Sequence, residues 1–362
     1  MGGRAFVSAV DTPPNVGREV EVLFREARQR RRRRWVAGIS ILVLVLVAAG
    51  IGIAVAQTGG HSPPLVHQHL GPPEWSTPTA SKSAPPSDFV AGDNQGGIGV
   101  YATATGRLIR HLSGQTSGGP DQQPVVSASG TSVYFVQPQG PCSASIQTVP
   151  VSGSQPSSTA ISGSGIIALD PAPSPSPGLV AWVGALCGSE SQPTLYLSNE
   201  TTGQRSDLGP YTGRTNDEGL AWSNDGTLLA VEASPIVKVL DASDLTGPAQ
   251  QLTVRAGCML SDPAFVSYHD ELAVINTCPT TAGGPGSSDV LIYSAKTGHP
   301  VALAVKAPRG AAFQSLSVDS SGHVLVGLSP INGGAEIAFL SNGRLITVSH
   351  QSPTGAQWIT AG

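Results

Sequence analysis

The sequence of 362 residues contains few charged residues and very little lysine. Only 12% of the residues are charged, about half of the roughly 25% that is usual in soluble domains, and lysine accounts for four of the 20 basic residues. Scarce lysine and glutamate, together with 44 glycines and 30 prolines, argue against a helical bundle or a coiled coil. The glycines have no three-residue period, which excludes collagen, and 40% apolar content is enough for a packed core. We therefore expect an all-β fold of short strands joined by turns.

The few charges are divided unevenly along the chain. Residues 1–34 carry nine arginines and four acidic residues, whereas the remainder carries 11 basic and 20 acidic residues. Because the larger, acidic part would repel phosphate, a general nucleic-acid binder is excluded. Such a division is typical of a chain that crosses a membrane.

One uncharged run, Trp35–Ala56, is long enough to cross a bilayer. Its 22 residues would span about 33 Å as a helix, and five arginines directly precede it. The positive-inside rule therefore predicts a single-pass protein with a basic cytoplasmic tail (residues 1–34), a transmembrane helix (residues 35–57) and an extracellular C-terminal part. A cleaved signal peptide is the alternative, because Ala54-Val55-Ala56 fits a cleavage site, although the apolar run exceeds the roughly 7–15 residues of a signal peptide.

Residues 58–87 contain seven prolines and little apolar periodicity. This composition predicts a semi-extended linker between the membrane and a folded domain. His67 and His69 lie in this linker without a further ligand beside them, so we predict no metal site there. No cofactor is predicted for the chain.

Residues 88–362 combine short strands of alternating polarity with a turn signal that repeats at a mean step of about 47 residues. The repeated turn glycines are Gly106, Gly153, Gly203, Gly247, Gly298 and Gly343. A second set of turn positions runs out of phase with the first, at Gly130, Gly178, Gly226, Asp270-Glu271 and Gly322. Glycine supplies the positive φ that a tight turn needs, and periods of this length are typical of propeller blades.

Each repeat unit can be divided into four strands. Five complete units begin near residues 124, 167, 219, 262 and 313. Residues 88–112 supply three more strands and residues 355–362 supply one, so the two ends of the domain form a sixth unit. We therefore predict a six-bladed β-propeller in residues 88–362 with a 1+3 closing blade, because such closure removes open sheet edges.

Three segments resemble those of TolB-like and WD-repeat propellers. Residues 221–231 (AWSNDGTLLAV) resemble their inner strands, and residues 100–112 (VYATATGRLIRHL) and 291–303 (LIYSAKTGHPVAL) resemble their outer strands. The resemblance covers residues 88–362 and implies a propeller that serves as a binding scaffold, without indicating one ligand. The Trp-Asp pairs and Asp-His network of WD repeats are missing from most units.

All four cysteines lie in the part that is predicted to be extracellular, where disulfides persist. Of the three possible connectivities, we favour Cys142–Cys187 and Cys258–Cys278, since all four residues are expected near one face of the propeller. These bridges would stiffen long loops, which indicates that this face recognises a ligand.

The connections into the innermost strands approach the mouth of the central channel on the same face. The ligand-binding candidates in corresponding places are Gln122, Asp170, Glu218, Asp262 and Gln314. Three carboxylates around one opening suit a cation, a basic peptide or a cationic ligand. The alternative is that these side chains only accept hydrogen bonds within loops.

No enzyme motif stands out in the sequence, which lacks the nucleophile elbow, HExxH, P-loop and EF-hand patterns. We therefore predict a non-enzymatic extracellular propeller that is held in the cell membrane through Trp35–Ala56 and binds a protein, a peptide or an envelope polymer. Two alternatives stay open. One is a calcium-dependent hydrolase or lactonase that uses Asp170, Glu218 and Asp262, and the other is a sensor that signals to a cytoplasmic partner of residues 1–34.

Overall fold

The C-terminal part of the chain is built from β-strands. The computed structural model describes residues 83–93, 96–114, 122–153, 155, 157–162, 165–187, 192–215, 219–266, 270–279, 286–330, 334–349 and 355–359. The predicted cytoplasmic tail, transmembrane helix and most of the linker lie outside the described residues. Within the described ranges, no helix is long and apolar enough to span a bilayer.

The strands follow one another in chain order with short connections. The first three are β1 (Asp88–Gly92), β2 (Ile98–Ala102) and β3 (Leu108–His111). The next eight are β4 (Gln122–Val126), β5 (Ser132–Gly140), β6 (Ser143–Pro150), β7 (Ser158–Ile161), β8 (Ile166–Pro173), β9 (Leu179–Leu186), β10 (Thr194–Asn199) and β11 (Arg205–Pro210). They are followed by β12 (Leu220–Trp222), β13 (Leu228–Ala233), β14 (Ile236–Asp241) and β15 (Gln250–Gln251).

Nine further strands complete the described residues. Four of them are β16 (Met259–Val266), β17 (Glu271–Cys278), β18 (Ser287–Ser294) and β19 (Pro300–Lys306). The last five are β20 (Ala311–Val318), β21 (Val324–Pro330), β22 (Glu336–Ser341), β23 (Arg344–Ser349) and β24 (Gln357–Trp358). The innermost strands β4, β8, β12, β16 and β20 begin within three residues of the positions expected from the repeat.

Hydrogen bonds group these strands into five sheets. Four have four antiparallel strands each: the closing sheet (β24-β1-β2-β3), the β12 sheet (β12 to β15), the β16 sheet (β16 to β19) and the β20 sheet (β20 to β23). The double sheet joins two further four-stranded groups, β4 to β7 and β8 to β11, through a parallel pairing of β6 with β8 at Ala144 and Ile167. The result is an all-β, propeller-like arrangement.

Alternate connections lie at opposite edges of the sheets, because consecutive strands are antiparallel. We call the edge that carries the tight turns the turn face, and the edge that carries the four cysteines the disulfide face. On the turn face, φ lies between 63° and 83° at Gly106, Gly130, Gly153, Gly178, Gly203, Gly226, Gly298, Gly322 and Gly343. Gly247 differs, since it has no positive φ and its turn contains a bridge between Asp241 and Asp244.

The hydrophobic core lies between successive sheets. Each sheet contributes buried residues to the sheet before it and to the sheet after it, so strands such as β13 are apolar on both faces. The closing sheet shows the pattern clearly: Phe89 packs with Leu325 of the β20 sheet, while Val90 packs with Phe135 of the double sheet. Burial on both faces explains the nearly continuous apolar runs in the middle strands.

The innermost strands contact one another in sequence, from β4 through β8, β12, β16 and β20 to β24, and β24 contacts β4. β24 also pairs with β1, at Trp358 with Phe89 and at Gln357 with Val90. The two ends of the described region are therefore joined within one sheet.

A buried histidine strengthens this junction. The Nδ1 atom of His323 lies 2.6 Å from Oδ2 of Asp319, and its Nε2 atom lies 3.0 Å from the carbonyl oxygen of Ser83. The indole N–H of Trp358 donates to the His323 carbonyl oxygen at 2.9 Å. His323 thus bonds both to Ser83, where the described residues begin, and to Trp358 of β24, the last strand.

Candidate ligand-binding face

Three innermost strands contain a bulge built around a residue with positive φ. The ladders shift between Gln122 and Val125, between Leu169 and Ala172, and between Ser261 and Ala264. The residues with positive φ in these bulges are Gln123 (52°), Asp170 (49°) and Asp262 (50°), and each of them precedes a proline. A bulge leaves its extra residue outside the ladder, so these three side chains are available for contacts between sheets.

The bulges of β4 and β8 are bonded to each other. The side-chain amide of Gln123 donates from Nε2 to Oδ1 of Asp170 at 2.5 Å, and the backbone N–H of Asp170 donates to Oε1 of Gln123 at 2.9 Å. Both residues are buried, with exposed fractions of 6% and 2%. This reciprocal pair joins the two halves of the double sheet close to the ring of innermost strands.

The predicted channel residues occupy different environments. Gln122 and Gln314 are exposed on β4 and β20, whereas Asp170 and Asp262 are buried on β8 and β16. Glu218 lies outside the described residues. The prediction placed these residues in the connections that precede the innermost strands. The structure instead places the four described ones on the strands themselves.

Neither the predicted set nor its neighbours form a carboxylate cluster in the described ranges. No group of three histidine, cysteine, aspartate or glutamate side chains there is suited to hold a metal ion. Gln122 was the predicted residue on β4, whereas the structure places its neighbour Gln123 in the position equivalent to Asp170. The repeated residue-proline step at Gln123-Pro124, Asp170-Pro171 and Asp262-Pro263 was the signal that would have identified Gln123.

Replacing Gln123 by alanine is expected to lower the free energy of unfolding by about 1–3 kcal/mol, because buried polar groups of Asp170 lose two hydrogen bonds. Replacing the adjacent, exposed Gln122 by alanine should change it by about 0.5 kcal/mol or less. Chemical denaturation of the two variants gives the comparison. Equal effects would show that the Gln123–Asp170 pair contributes nothing specific.

Both predicted disulfides are present on the disulfide face. Cys142 and Cys187 are joined with their Cα atoms 5.1 Å apart, and Cys258 and Cys278 with theirs 4.1 Å apart. The first bridge connects the β5–β6 connection to the end of β9, and therefore links the two halves of the double sheet. The second bridge joins Cys258, directly before the start of β16, to Cys278 at the end of β17.

An exposed leucine lies directly beside the first disulfide. Leu186 is 57% exposed, the largest fraction among the large apolar side chains of the described residues. It lines a recess of about 140 Å³ together with Ile166, Gly184, Gln192, Thr194 and Tyr196. We call this site the Leu186 recess. It combines apolar walls with amide and hydroxyl groups, as sites for apolar side chains of a partner do.

The aromatic wall of the Leu186 recess is held rigidly. The Tyr196 ring stacks on Trp182 with a centroid distance of 4.7 Å, and the guanidinium carbon of Arg205 lies 4.9 Å from the Tyr196 centroid. A Cβ atom at Gly184 would lie 2.5 Å from the Tyr196 ring, so the ring requires glycine at this position. Trp182 is itself fixed, because its indole N–H donates to Ser198 Oγ at 2.8 Å.

Solved structures of other proteins show the same arrangement of sheets. TolB from Acinetobacter baumannii matches with a TM-score of 0.56 and 14% sequence identity, over 75% of this chain and 66% of that chain. The chain has a TolB-like β-propeller fold. The propeller is also similar to a chain of the nidogen/laminin complex (TM-score 0.54, 9% identity, 76% of this chain and 98% of that chain). An oligogalacturonate lyase in complex with manganese gives a TM-score of 0.50 at 9% identity, with 70% of each chain covered.

These likenesses establish the fold of the propeller and no more, because the identities are low. This chain spans 66% of the length of the Acinetobacter TolB, so about a third of that protein has no counterpart in the match. No protein-family model matches the chain, and no curated protein matches it either. Proteins with this fold include both TolB and enzymes, so the fold alone does not decide between binding and catalysis.

Proposed function

We propose that this chain is a membrane-tethered, extracellular, six-bladed propeller that binds a protein or peptide and catalyses no reaction. Six blades are favoured because the double sheet contains two four-stranded groups beside the four single sheets. The ring of contacts between innermost strands and the pairing of β24 with β1 support closure. The uncharged run Trp35–Ala56 behind five arginines favours the anchor and the orientation.

The observation that carries the proposal is the Leu186 recess beside the Cys142–Cys187 disulfide. An apolar side chain with more than half its surface in water is a typical centre of a protein interface when rigid neighbours surround it. Here Leu186 directly precedes the disulfide-bonded Cys187, and Tyr196, which lines the recess, stacks on Trp182. A rigid site loses little conformational entropy when a partner binds.

The disposition of the buried carboxylates also favours binding over catalysis. The Asp170 carboxylate accepts a hydrogen bond from the Gln123 side chain, and the Asp170 backbone N–H donates one back. These bonds join the two halves of the double sheet inside the fold. A chain of the nidogen/laminin complex has the same fold, so the fold is compatible with binding to another protein.

Replacing Leu186 by aspartate is expected to weaken partner capture strongly. The test introduces a photo-crosslinking amino acid at the exposed Gln192, which lines the Leu186 recess, in the full chain expressed in its native envelope. We expect a crosslinked adduct from this position, and about thirtyfold weaker capture in the Leu186→Asp variant, since a central anchor contributes about 2 kcal/mol or more.

Ile346 provides the matched control, because it is 44% exposed on the outer strand β23 and lies away from the recess. The Ile346→Asp variant should capture the partner as the parent does. Capture that does not depend on Leu186, or adducts only from a crosslinker at Thr202 on the turn face, would contradict the proposed site.

A further inference from the structure

The buried His323 side chain has a hydrogen-bond acceptor at each of its two ring nitrogens. Its Nδ1 atom lies 2.6 Å from Oδ2 of Asp319, and its Nε2 atom lies 3.0 Å from the carbonyl oxygen of Ser83. A carbonyl oxygen and an ionised carboxylate can only accept hydrogen bonds, and a neutral imidazole carries only one N–H group. Both contacts are therefore hydrogen bonds only when the histidine–aspartate pair holds one further proton.

The turn around Asp319 places this proton on the ring. The Oδ1 atom of Asp319 accepts hydrogen bonds from the backbone N–H groups of Ser321 at 2.9 Å and of His323 at 2.7 Å. Bonds of this kind favour the ionised carboxylate over the acid. The pair is therefore an aspartate bonded to an imidazolium, and the second N–H group of the imidazolium donates to Ser83.

Burial makes the bond to Ser83 depend on this proton. His323 is 6% exposed and Asp319 is 5% exposed, so little water is at hand to replace a lost bond. A neutral ring would keep its one N–H group on the aspartate, because that bond is charge-assisted. The lone pair of Nε2 would then face the carbonyl oxygen of Ser83, and two buried acceptors that face each other without a proton are unfavourable.

The bond to Ser83 fastens the last residues before β1 to the turn face. The carbonyl oxygen of Ser87 accepts a hydrogen bond from the Thr103 N–H at 2.7 Å, whereas that of Ser83 is bonded to the histidine ring. Pro85 and Pro86 lie between them and have no N–H group to donate. Residues 83–87 are thus fastened by a backbone group at one end and by a titratable side chain at the other.

We propose that His323 is a proton-operated latch for the linker. The imidazolium holds the Ser83 carbonyl oxygen, and the neutral ring releases residues 83–86 from the propeller. Because the closed latch holds a proton that the open latch lacks, it is closed at low pH and opens as the pH rises. Opening would lengthen the free linker by four residues, or roughly 14 Å when they are extended.

No charged group besides its partner aspartate bonds to His323 within the described ranges. On the side of β24 the contact is uncharged, since the Trp358 indole N–H donates to the His323 carbonyl oxygen. The corresponding hairpins of the two adjoining sheets carry Asp88 on one side and Asp270 and Glu271 on the other. Asp270 is paired with a lysine of its own sheet. The histidine–aspartate pair is therefore the group whose proton controls the latch.

Proteolysis at Lys82 tests the latch in the purified full chain. A lysine-specific endoproteinase cuts between Lys82 and Ser83 only when the residues beyond the cut are free to enter its active site. The comparison variant is His323→Asn, whose amide can replace Nδ1 but leaves no atom at the place of Nε2. At about pH 6 we expect the parent to be cut about tenfold more slowly than this variant, and at about pH 8.5 equally fast.

Two further variants serve as controls for this comparison. The His323→Gln amide nitrogen can reach the place of Nε2 and donates at every pH, so this variant should be cut slowly at both pH values. His111 also places Nδ1 against a carboxylate, that of Asp93 at 2.9 Å, but its side chain is 48% exposed. His111→Asn should therefore be cut as the parent is. A ratio of parent to His323→Asn rates that does not change with pH would overturn the proposal.

The ring nitrogens give a readout that does not require the variants to fold. In the parent chain with nitrogen-15 in its histidine rings, we expect both nitrogens of His323 to carry protons at about pH 6 and one of them to do so at about pH 8.5. A single protonated nitrogen at the lower pH would overturn the proposal. The Leu186→Asp variant should keep the pH-dependent cleavage, so this outcome is separate from that of the proposed function.

Discussion

Replacing Cys142 and Cys187 together by serine is expected to lower the free energy of unfolding by about 4 kcal/mol, the loop-entropy value for a bridge between residues separated by 45 positions. The bridge links the two halves of the double sheet, which also meet at the backbone pair of Ala144 with Ile167 and at the side-chain pair of Gln123 with Asp170. Chemical denaturation of the oxidised parent and the double variant measures the loss.

The second disulfide provides the control for this prediction. Cys258 and Cys278 are separated by 20 positions, so their removal should cost about 3 kcal/mol by the same relation. A smaller loss for Cys142–Cys187 than for Cys258–Cys278 would show that the bridge between the halves does not constrain the unfolded chain as proposed. It would also weaken the argument that this bridge makes the Leu186 recess rigid.

Replacing Trp358 by alanine is expected to lower the free energy of unfolding by about 3–5 kcal/mol, the usual range for a buried aromatic residue. The Trp358 side chain is 2% exposed and packs against Phe339 with ring centroids 6.3 Å apart. Its backbone N–H donates to Ser317 Oγ at 3.1 Å, and its indole N–H donates to the carbonyl oxygen of His323. A shift of the thermal unfolding midpoint measures the loss.

The Trp358→Phe variant separates packing from hydrogen bonding. Phenylalanine retains most of the buried ring but leaves the His323 carbonyl oxygen without the indole donor, so we expect a smaller loss of about 1–2 kcal/mol. If Trp358→Ala were as stable as the parent, β24 would not be needed to complete the closing sheet. A large loss in both variants would assign the effect mainly to the hydrogen bond.

Local patterns were sufficient to predict most strands of the propeller. Short apolar runs bounded by turn signals located β13 and β17, and the turn glycines Gly226 and Gly322 have the positive φ that the repeat required. These features depend on residues close together in the chain, so periodicity reveals them. The cysteine pairs were also predictable, since the repeat placed all four residues at one edge.

The candidate sites were harder to predict, because they depend on contacts between distant residues. A bulge shifts a strand by one residue, and this shift moves the interacting side chain from Gln122 to Gln123. The bond of His323 to Ser83 joins residues 240 positions apart, and no local pattern records it. The Leu186 recess was missed for a similar reason, since Leu186 belongs to an apolar strand that periodicity assigns to the core.

The pairing of β24 with β1 has a consequence for the order of folding during synthesis. β1 emerges early, yet its partner at Trp358 is made some 270 residues later. Until then, the edge of β1 at Phe89 and Val90 is an unpaired apolar strand, which is prone to pair with other chains. We therefore expect a chain interrupted before residue 357 to require a chaperone or to aggregate, even though most of its strands are present.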